Sequence, residues 1–199
     1  MKRLLAVFLV ACTPSSSVGI YASKLENSPA VPVVGVSSVP EYDRSSWGRW
    51  IDADKDCQDT RQEVLIAESL EPVVMDEDGC RVVTGHWICP YTGKEFIGSP
   101  SILDIDHVVS LEEAHFAGAW AWPVEKKRAF FNDLANKEHL RAVDLSANRS
   151  KGSRGPLEWV PDNPAFRCTY LRDRLRILRR WDLQYDCAFY AELLVQHCD

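Results

Sequence analysis

The sequence predicts an exported α+β domain that is stapled by disulfide bonds. A basic and then apolar N-terminus is typical of an export signal, and an even set of cysteines follows it. Short segments with strand character alternate with segments of helical periodicity. The 199 residues are 46% apolar and 26% charged, which is typical of one globular domain with additional segments.

Residues 1–12, MKRLLAVFLVAC, place Lys2 and Arg3 before a short apolar run. This is the layout of an export signal. The run ends in LVAC, which resembles a bacterial lipobox, so we expect a lipidated Cys12 and a membrane anchor, in the outer membrane where the organism has one. The alternative is a plain secretory signal that is cleaved near Ala22, and therefore a secreted protein.

Residues 13–41 are rich in Ser, Pro and Val and lack helical periodicity, so we predict a flexible tether. The folded domain is predicted over residues 42–199. An even set of cysteines in an exported chain predicts disulfide bonds, whose pairing the sequence alone leaves open. The six cysteines of the domain are Cys57, Cys80, Cys89, Cys168, Cys187 and Cys198.

The first elements of the domain are predicted to be a helix and a hairpin. Apolar residues within residues 57–70 predict the helix. Residues 80–93 predict a strand, a tight turn and a second strand, because Gly85, Pro90 and Gly93 are typical turn residues.

A strand predicted over residues 102–110 carries charged side chains between apolar ones. Asp104, Asp106 and His107 alternate there with aliphatic residues. Burying a carboxylate and an imidazole is costly unless they are hydrogen-bonded or hold a metal. The pair is therefore either a structural ion pair or part of a chemical site. Ser110 then begins a short helix, since SLEE matches a capping box.

The C-terminal half is predicted to be mostly helical. A helix is predicted over residues 124–135 after Pro123, and residues 141–152 predict a short strand, a turn at Ser146 and a short helix. Two more helices are predicted in the last part of the chain. Their apolar faces are expected to be Leu171, Leu175 and Leu178 in the first, and Ala188, Ala191, Leu194 and Val195 in the second.

The distribution of charge is uneven. The net charge of −6 does not by itself indicate a nucleic-acid binder. Between Arg149 and Arg180, however, nine Lys or Arg residues stand against three acidic residues, a net charge of +6. Such a segment either faces phosphate groups or forms a solvated helix surface.

Three segments occur in the order of a nuclease motif: DIDHVVS, KEHLRAV and SANRSKG. An Asp-His strand end, a middle His before Leu and a helical Asn followed by Lys resemble the HNH, or His-Me finger, endonucleases. Flanking segments such as CQDTRQEVL and GHWICPYTG extend the likeness to the exported HNH family related to the C-terminal domain of GmrSD-type restriction enzymes. The resemblance covers roughly residues 42–199 and implies a ββα-metal core elaborated with additional helices.

The resemblance implies a metal-dependent endonuclease that hydrolyses phosphodiester bonds of DNA, with RNA as a second substrate and little sequence preference. His107 would be the general base, because imidazole titrates near neutral pH. Asp106 and Asn148 would hold Mg²⁺, or alternatively Mn²⁺, through side-chain oxygens. Because neighbouring residues of an ideal strand point to opposite sides, a bulge or a strand end is needed to direct Asp106 and His107 to one site.

The resemblance also assigns supporting roles. His139 takes the middle position, where it would brace the loop and orient the catalytic histidine, or contact substrate. Lys151 and Arg149 would contact the phosphate or the transition state, and Arg154 would bind substrate. Asp104 would orient the site or pair locally.

The disulfide pairing that the resemblance implies is Cys57 with Cys80 and Cys168 with Cys198, and we expect Cys89 to pair with Cys187. The expected partners are DNA, with RNA as the second choice, and a membrane through the lipid anchor; no protein partner is indicated. Two other function classes fit the sequence. One is a nucleic-acid-binding surface lipoprotein without catalysis, and the other is a structural envelope lipoprotein.

Overall fold

Small antiparallel sheets and six α-helices make up residues 39–198, the part of the chain that the structure, a computed structural model, describes. The predicted α+β fold is confirmed. The signal peptide, Cys12 and nearly all of the predicted tether lie outside these residues. Within residues 39–198, no helix is both long and apolar enough to cross a membrane.

The strands and helices follow one another along the chain with short connections. The strands are β1 (Val74–Met75), β2 (Val82–Ile88), β3 (Glu95–Gly98), β4 (Leu103–His107) and β5 (Leu140–Asp144). The helices are α1 (Thr60–Glu68), α2 (Leu111–Phe116), α3 (Val124–Phe131), α4 (Leu145–Lys151), α5 (Pro164–Arg180) and α6 (Cys187–His197). Short 3-10 helices occupy Arg44–Trp47, Pro100–Ile102 and Ala119–Ala121.

The first sheet has the strand order β1-β2-β3. The hairpin predicted within residues 80–93 is present but extends further, because β2 runs through Gly85 without interruption and the second strand begins only at Glu95. A Cβ at Gly85 would overlap the indole of Trp87, so the glycine leaves room for a buried ring. The turn lies later, between Cys89 and Lys94, whose backbones are hydrogen-bonded. Gly93 closes it with a φ of 73°, a value that glycine adopts without strain.

The second sheet consists of β4 and β5, and α4 follows it directly. All of β4 pairs in register with β5, from Leu103 opposite Asp144 to His107 opposite Leu140. The turn predicted at Ser146 is wrong. The carboxylate of Asp144 accepts hydrogen bonds from the first backbone N–H groups of α4, which caps the helix, so the last residue of the strand begins the helix without a linker.

Two apolar clusters form the core of residues 39–198. The main cluster gathers aromatic side chains from several elements around Trp47, Tyr91 and Phe130. The second lies between α1, β2 and the β4–β5 sheet, and includes Trp87 and Ile105. Burial of this apolar surface is the main force that holds the two sheets and the helices together.

The apolar face predicted for α5 is confirmed, since Leu171, Leu175 and Leu178 are buried. The face predicted for α6 is wrong except at Leu194, which packs partly buried against the main cluster; the helix buries Tyr190 and Leu193. Burying these large side chains removes more apolar surface from water than burying alanines does. The predicted residues that face solvent are Ala188, Ala191 and Val195.

Two of the predicted disulfide bonds are confirmed, Cys57–Cys80 and Cys168–Cys198. The predicted bond between Cys89 and Cys187 is wrong, because Cys89 is a free, buried thiol. Its sulfur accepts a hydrogen bond from the backbone N–H of Asp144 at 3.2 Å. The thiol therefore packs in the main core against the end of β5, where it behaves as a small apolar side chain.

Candidate active site on the two faces of strand β4

The predicted site residues lie on both faces of β4. Asp104 and Asp106 are in contact with side chains of α4, and His107 lies on the other side, as the alternation of a strand requires. Of the two expected ways to direct Asp106 and His107 to one site, the bulge is absent, because the pairing of β4 with β5 is regular, whereas His107 is indeed the last residue of β4. We call the side that faces α4 the carboxylate face, and the side that carries His107 and His139 the histidine face.

Asp106, at the centre of the carboxylate face, is buried and fully engaged. One of its oxygens accepts a hydrogen bond from the hydroxyl of Tyr91 at 2.5 Å. The other accepts from the ammonium of Lys151 at 2.8 Å. Lys151 is 0% exposed and also donates to the carbonyl of His107 at 2.9 Å. Both charges of this buried pair are therefore hydrogen-bonded, which offsets the cost of removing them from water.

Tyr91 is a site residue that the sequence did not indicate. It lies in the turn after β2, and no sequence motif links this position to Asp106. Burial, and then the negative charge of Asp106, raise the pKa of Tyr91 well above its ordinary value. Tyr91 is therefore a protonated donor at every working pH, and it fixes the position of the Asp106 carboxylate.

Asp104 and Asn148 form a second contact on the carboxylate face. The side-chain amide of Asn148 donates to the carboxylate of Asp104 at 3.1 Å, and both residues are half-buried. Arg149 and Arg154 are exposed beside them. The guanidinium of Arg154 folds back on the carbonyl of Lys151 at 3.3 Å. This face therefore offers oxygen ligands next to exposed cations.

His107 is buried among aromatic rings on the histidine face. Its ring stacks on Trp50 with centroids 5.3 Å apart and an interplanar angle of 7°. Its Nε2 lies 2.9 Å from the carbonyl oxygen of Phe131. Since a carbonyl can only accept, this contact places the proton on Nε2 and leaves Nδ1 as the basic nitrogen.

Burial, helped by the nearby His139, holds the pKa of His107 well below its ordinary value. The imidazole of His107 is consequently neutral at pH 7. A neutral imidazole with a fixed tautomer can accept a proton, which is the first requirement of a general base. Trp50, which stacks on this ring, is a second residue that the sequence did not single out.

His139 lies beside His107, with ring centroids 6.0 Å apart. Burial lowers the pKa of His139 to about 4, although the carboxylate of Asp133 lies 3.7 Å from its Nδ1. The backbone carbonyl of His139 accepts a hydrogen bond from the N–H of Val108 at 3.1 Å. This contact extends the β4–β5 ladder just beyond His107, at the position where a bracing role was expected.

The basic segment is partly internal. Lys151 and Arg174 are both buried. Arg174 pairs with the carboxylate of Glu113 and donates to the carbonyl of Val108 at 2.7 Å. Ser110 caps α2 as predicted, but the carboxylate of Glu113 pairs with Arg174. At least two of the nine cations therefore neutralise internal carboxylates and do not face solvent.

The oxygen donors of Asp104, Asp106 and Asn148 suit a hard cation such as Mg²⁺ or Mn²⁺. Lys151 already neutralises one oxygen of Asp106, so a cation there would share this carboxylate with Lys151. Within residues 39–198, one group of three acidic side chains has its ligand atoms within 4.8 Å of one another, and it lies before α1: Asp52, Asp54 and Asp56.

An uncharacterized secreted protein of the fungus Arthroderma benhamiae is 33% identical to this chain over 147 residues, which cover 74% of this chain and 70% of the relative. The chain belongs to the family of this secreted protein. No family model and no solved structure matches the chain. The secretion of the relative, together with the disulfide bonds Cys57–Cys80 and Cys168–Cys198, supports an exported location for this member of the family.

Proposed function

We propose that this exported protein is a metal-dependent endonuclease of the HNH type that hydrolyses phosphodiester bonds of DNA, and also of RNA, with little sequence preference. One observation carries the proposal. Two paired strands are followed at once by a helix, and this helix brings Asn148 onto Asp104 and Lys151 onto Asp106. This order of β4, β5 and α4 supports the ββα-metal core that the sequence resemblance implies.

His107 would act as the general base. A phosphodiester reacts slowly with water, so a base must take a proton from the attacking water. The contact between Nε2 of His107 and the carbonyl of Phe131 leaves Nδ1 free for that proton. The lowered pKa of His107 keeps the imidazole unprotonated at neutral pH. His139 would support this role through its packing against the imidazole of His107.

Asp106 and Asn148 would hold Mg²⁺ or Mn²⁺, and Asp104 would supply a further oxygen. A cation bound there would polarise the phosphate oxygens and stabilise the leaving oxygen. Lys151 would keep the negative charge of Asp106 balanced, and the exposed Arg149 and Arg154 would bind the phosphate backbone. Contacts of this kind read phosphate and not base edges, which supports low sequence preference.

The finer location is also a proposal. Lipidation of Cys12 would anchor the exported domain to a membrane, and cleavage further along the chain would release it. A radiolabelled fatty acid that is incorporated into the wild-type chain and not into Cys12→Ser would establish the anchor.

A second candidate is a nucleic-acid-binding protein without catalysis. The burial of His107, only 6% exposed, and the ion pair between Asp106 and Lys151 favour it. In that case the polar residues of β4 would be structural, and the exposed arginines alone would bind the phosphates. The two candidates differ in whether bound DNA is cut.

The test is a gel assay on supercoiled plasmid with the full chain, its disulfide bonds intact. We expect nicking with Mg²⁺ or Mn²⁺, none with EDTA, and none with His107→Ala, whose fold is checked by circular dichroism. His86→Ala removes a histidine from the β2–β3 hairpin and should cut like the wild type. If the folded wild-type protein shifts DNA in a gel but never cuts it, the proposal of a nuclease is wrong and the second candidate, a DNA-binding protein, takes its place.

A further inference from the structure

A cavity of about 320 Å³ lies where β5 begins. Sites for small molecules typically span about 300–1,000 Å³. The walls of the cavity come from α1, from the end of β2, from the loop before β5 and from β5 itself. Six of its lining side chains are apolar: Val64, Ala67, Ile88, Pro90, Leu134 and Leu140. The cavity therefore suits a small ligand with an apolar body.

The charged side chains of this cavity cancel one another. Glu68 and Asp133 are the acids, and Lys137 and Arg141 are the cations. The carboxylate of Glu68 pairs with Arg141 at 3.4 Å, and that of Asp133 pairs with Arg180 at 3.3 Å. Because the lining carries no net charge, it selects neither an inorganic anion nor a metal cation. A neutral ligand is the better match.

The cavity lacks hydrogen-bond acceptors for two of its donors. The amide Nδ2 of Asn136 and the Nε of Arg141 are both buried, and neither has a hydrogen-bond partner within residues 39–198. The other two nitrogens of the Arg141 guanidinium donate to the carboxylates of Glu68 and Asp173. An N–H group can only donate, and a buried donor without a partner is costly. A ligand in this cavity should therefore offer carbonyl oxygens or ring nitrogens.

The register of the second sheet brings this cavity close to the proposed nuclease site. Leu140, which lines the cavity, lies opposite His107, and Arg141 lies opposite Asp106. Facing residues of an antiparallel pair have Cα atoms about 4.5–5.5 Å apart. A nucleotide that flanks a phosphate bound at that site is therefore within reach of the cavity, a step that rests on the proposed function.

We propose that this cavity binds a single nucleobase. A nucleobase is neutral, its flat faces are apolar, and its edges offer carbonyl oxygens and ring nitrogens. The faces would lie against the aliphatic walls, and an edge would accept hydrogen bonds from Asn136 and Arg141. All four bases carry such acceptors, which agrees with low sequence preference. An unpaired base leaves its stack at the lowest cost, so single-stranded or mismatched DNA should bind more tightly than a matched duplex.

The first arm of the test uses the four free deoxynucleosides, which are neutral and which report on the cavity without any cleavage. Calorimetric titration of the full chain should show binding with a dissociation constant on the order of 0.1–1 mM, as expected for ligands of this size. Asn136→Leu removes one donor and should weaken binding about tenfold. Ala67→Phe fills the exposed edge of the cavity and should abolish binding. Ala191→Phe makes the same change at an exposed position of α6 and should bind like the wild type.

The second arm places the fluorescent base 2-aminopurine in a short single strand of DNA, with EDTA present so that no strand is cut. Binding to the wild type should raise the fluorescence, because the base leaves its stacked neighbours and enters the cavity. Binding to Ala67→Phe should leave the fluorescence unchanged, while the anisotropy of an end label shows that this variant still holds the strand.

Two results would overturn the nucleobase site. One is the absence of binding heat with every deoxynucleoside up to about 5 mM, well above the expected range. The other is equal binding by Ala67→Phe and Ala191→Phe. If Ala67→Phe does not fold, as judged by circular dichroism, Ala67→Leu undergoes the same comparison.

The outcome is also separate from that of the nuclease proposal. Deoxynucleosides that bind the wild type and not Ala67→Phe, in a protein that neither binds nor cuts DNA, would support the cavity and refute the nuclease. Metal-dependent nicking of plasmid without deoxynucleoside binding would support the nuclease and refute the cavity.

Discussion

Both faces of β4 bury a titratable side chain, but the two side chains are stabilised in opposite ways. On the carboxylate face, Asp106 keeps its charge because Lys151 and Tyr91 are hydrogen-bonded to it. On the histidine face, His107 loses its charge because Trp50 and the neighbouring aromatic rings exclude water from it. One strand therefore carries a charged carboxylate on one face and a neutral imidazole on the other, at consecutive positions.

The difference also separates the consequences of mutation. A substitution that removes one partner on the carboxylate face leaves a buried charge unpaired. A substitution that removes a histidine on the histidine face leaves an uncharged cavity and changes how the stability depends on pH. Stability measurements can therefore distinguish the faces without any assay of cleavage.

The largest effect is expected for Lys151→Met, which removes the ammonium that neutralises Asp106. Leaving one partner of a buried ion pair uncompensated costs about 3–5 kcal/mol. Urea unfolding should show this loss in the free energy of unfolding. Arg149→Met changes an exposed cation on the same helix and should stay within about 0.5 kcal/mol of the wild type. Equal losses in the two variants would contradict the structural role of Lys151.

The histidine face should dominate the acid sensitivity of the fold. Burial lowers the pKa of His139 from 6.5 to about 4, and it also lowers that of His107. Between pH 6.5 and about 4, the unfolded chain binds a proton that the folded chain does not, so the free energy of unfolding falls as the pH falls through this window.

Urea unfolding at pH 7 and at pH 5 measures this loss of stability. His139→Gln should lose less stability between the two pH values than the wild type does, because the proton acceptor is gone. His197→Gln, a change in a half-buried histidine at the end of α6 that forms no ion pair within residues 39–198, should lose as much as the wild type. An unchanged pH response in His139→Gln would show that burial of this ring is not what makes the fold sensitive to acid.

The smallest effect concerns the exposed cations beside the carboxylate face. Arg149→Ala should weaken DNA binding and reduce the slope of log affinity against log salt by about 1, because one phosphate contact is lost. Fluorescence anisotropy of labelled duplex DNA at several salt concentrations measures this slope. Arg128→Ala, an exposed change on α3, is the control and should leave the slope unchanged. The same slope in wild type and Arg149→Ala would exclude this arginine from the phosphate-binding surface.

Much of the fold could be predicted from the sequence because its signals are local. The alternation around Asp104 and Asp106 identified β4, and the capping residue Ser110 identified the start of α2. Leu171 and the leucines that follow it identified the buried face of α5. Each of these features depends on residues within a few positions of one another.

The failures arise from contacts between distant residues. Gly85 was counted among the turn residues of the hairpin, whereas it lies inside β2 and leaves room for the Trp87 ring, a contact that the packing of the sheet decides. The pairing of Cys89 depended on which cysteines meet in space. Lys151 neutralises Asp106, which lies 45 positions earlier in the chain. No local pattern indicates such a contact. The basic segment was therefore predicted to lie on the surface, although part of it is buried.

The central claim is that the carboxylate face binds the metal and the histidine face supplies the base. It is tested most directly by measuring Mn²⁺ binding to His107→Ala and to Asn148→Ala by electron paramagnetic resonance of the free ion. The account predicts that His107→Ala binds Mn²⁺ as the wild type does, while Asn148→Ala loses about tenfold or more in affinity, since one of its few oxygen ligands is gone. Equal affinities in the two variants, or a loss confined to His107→Ala, would contradict it.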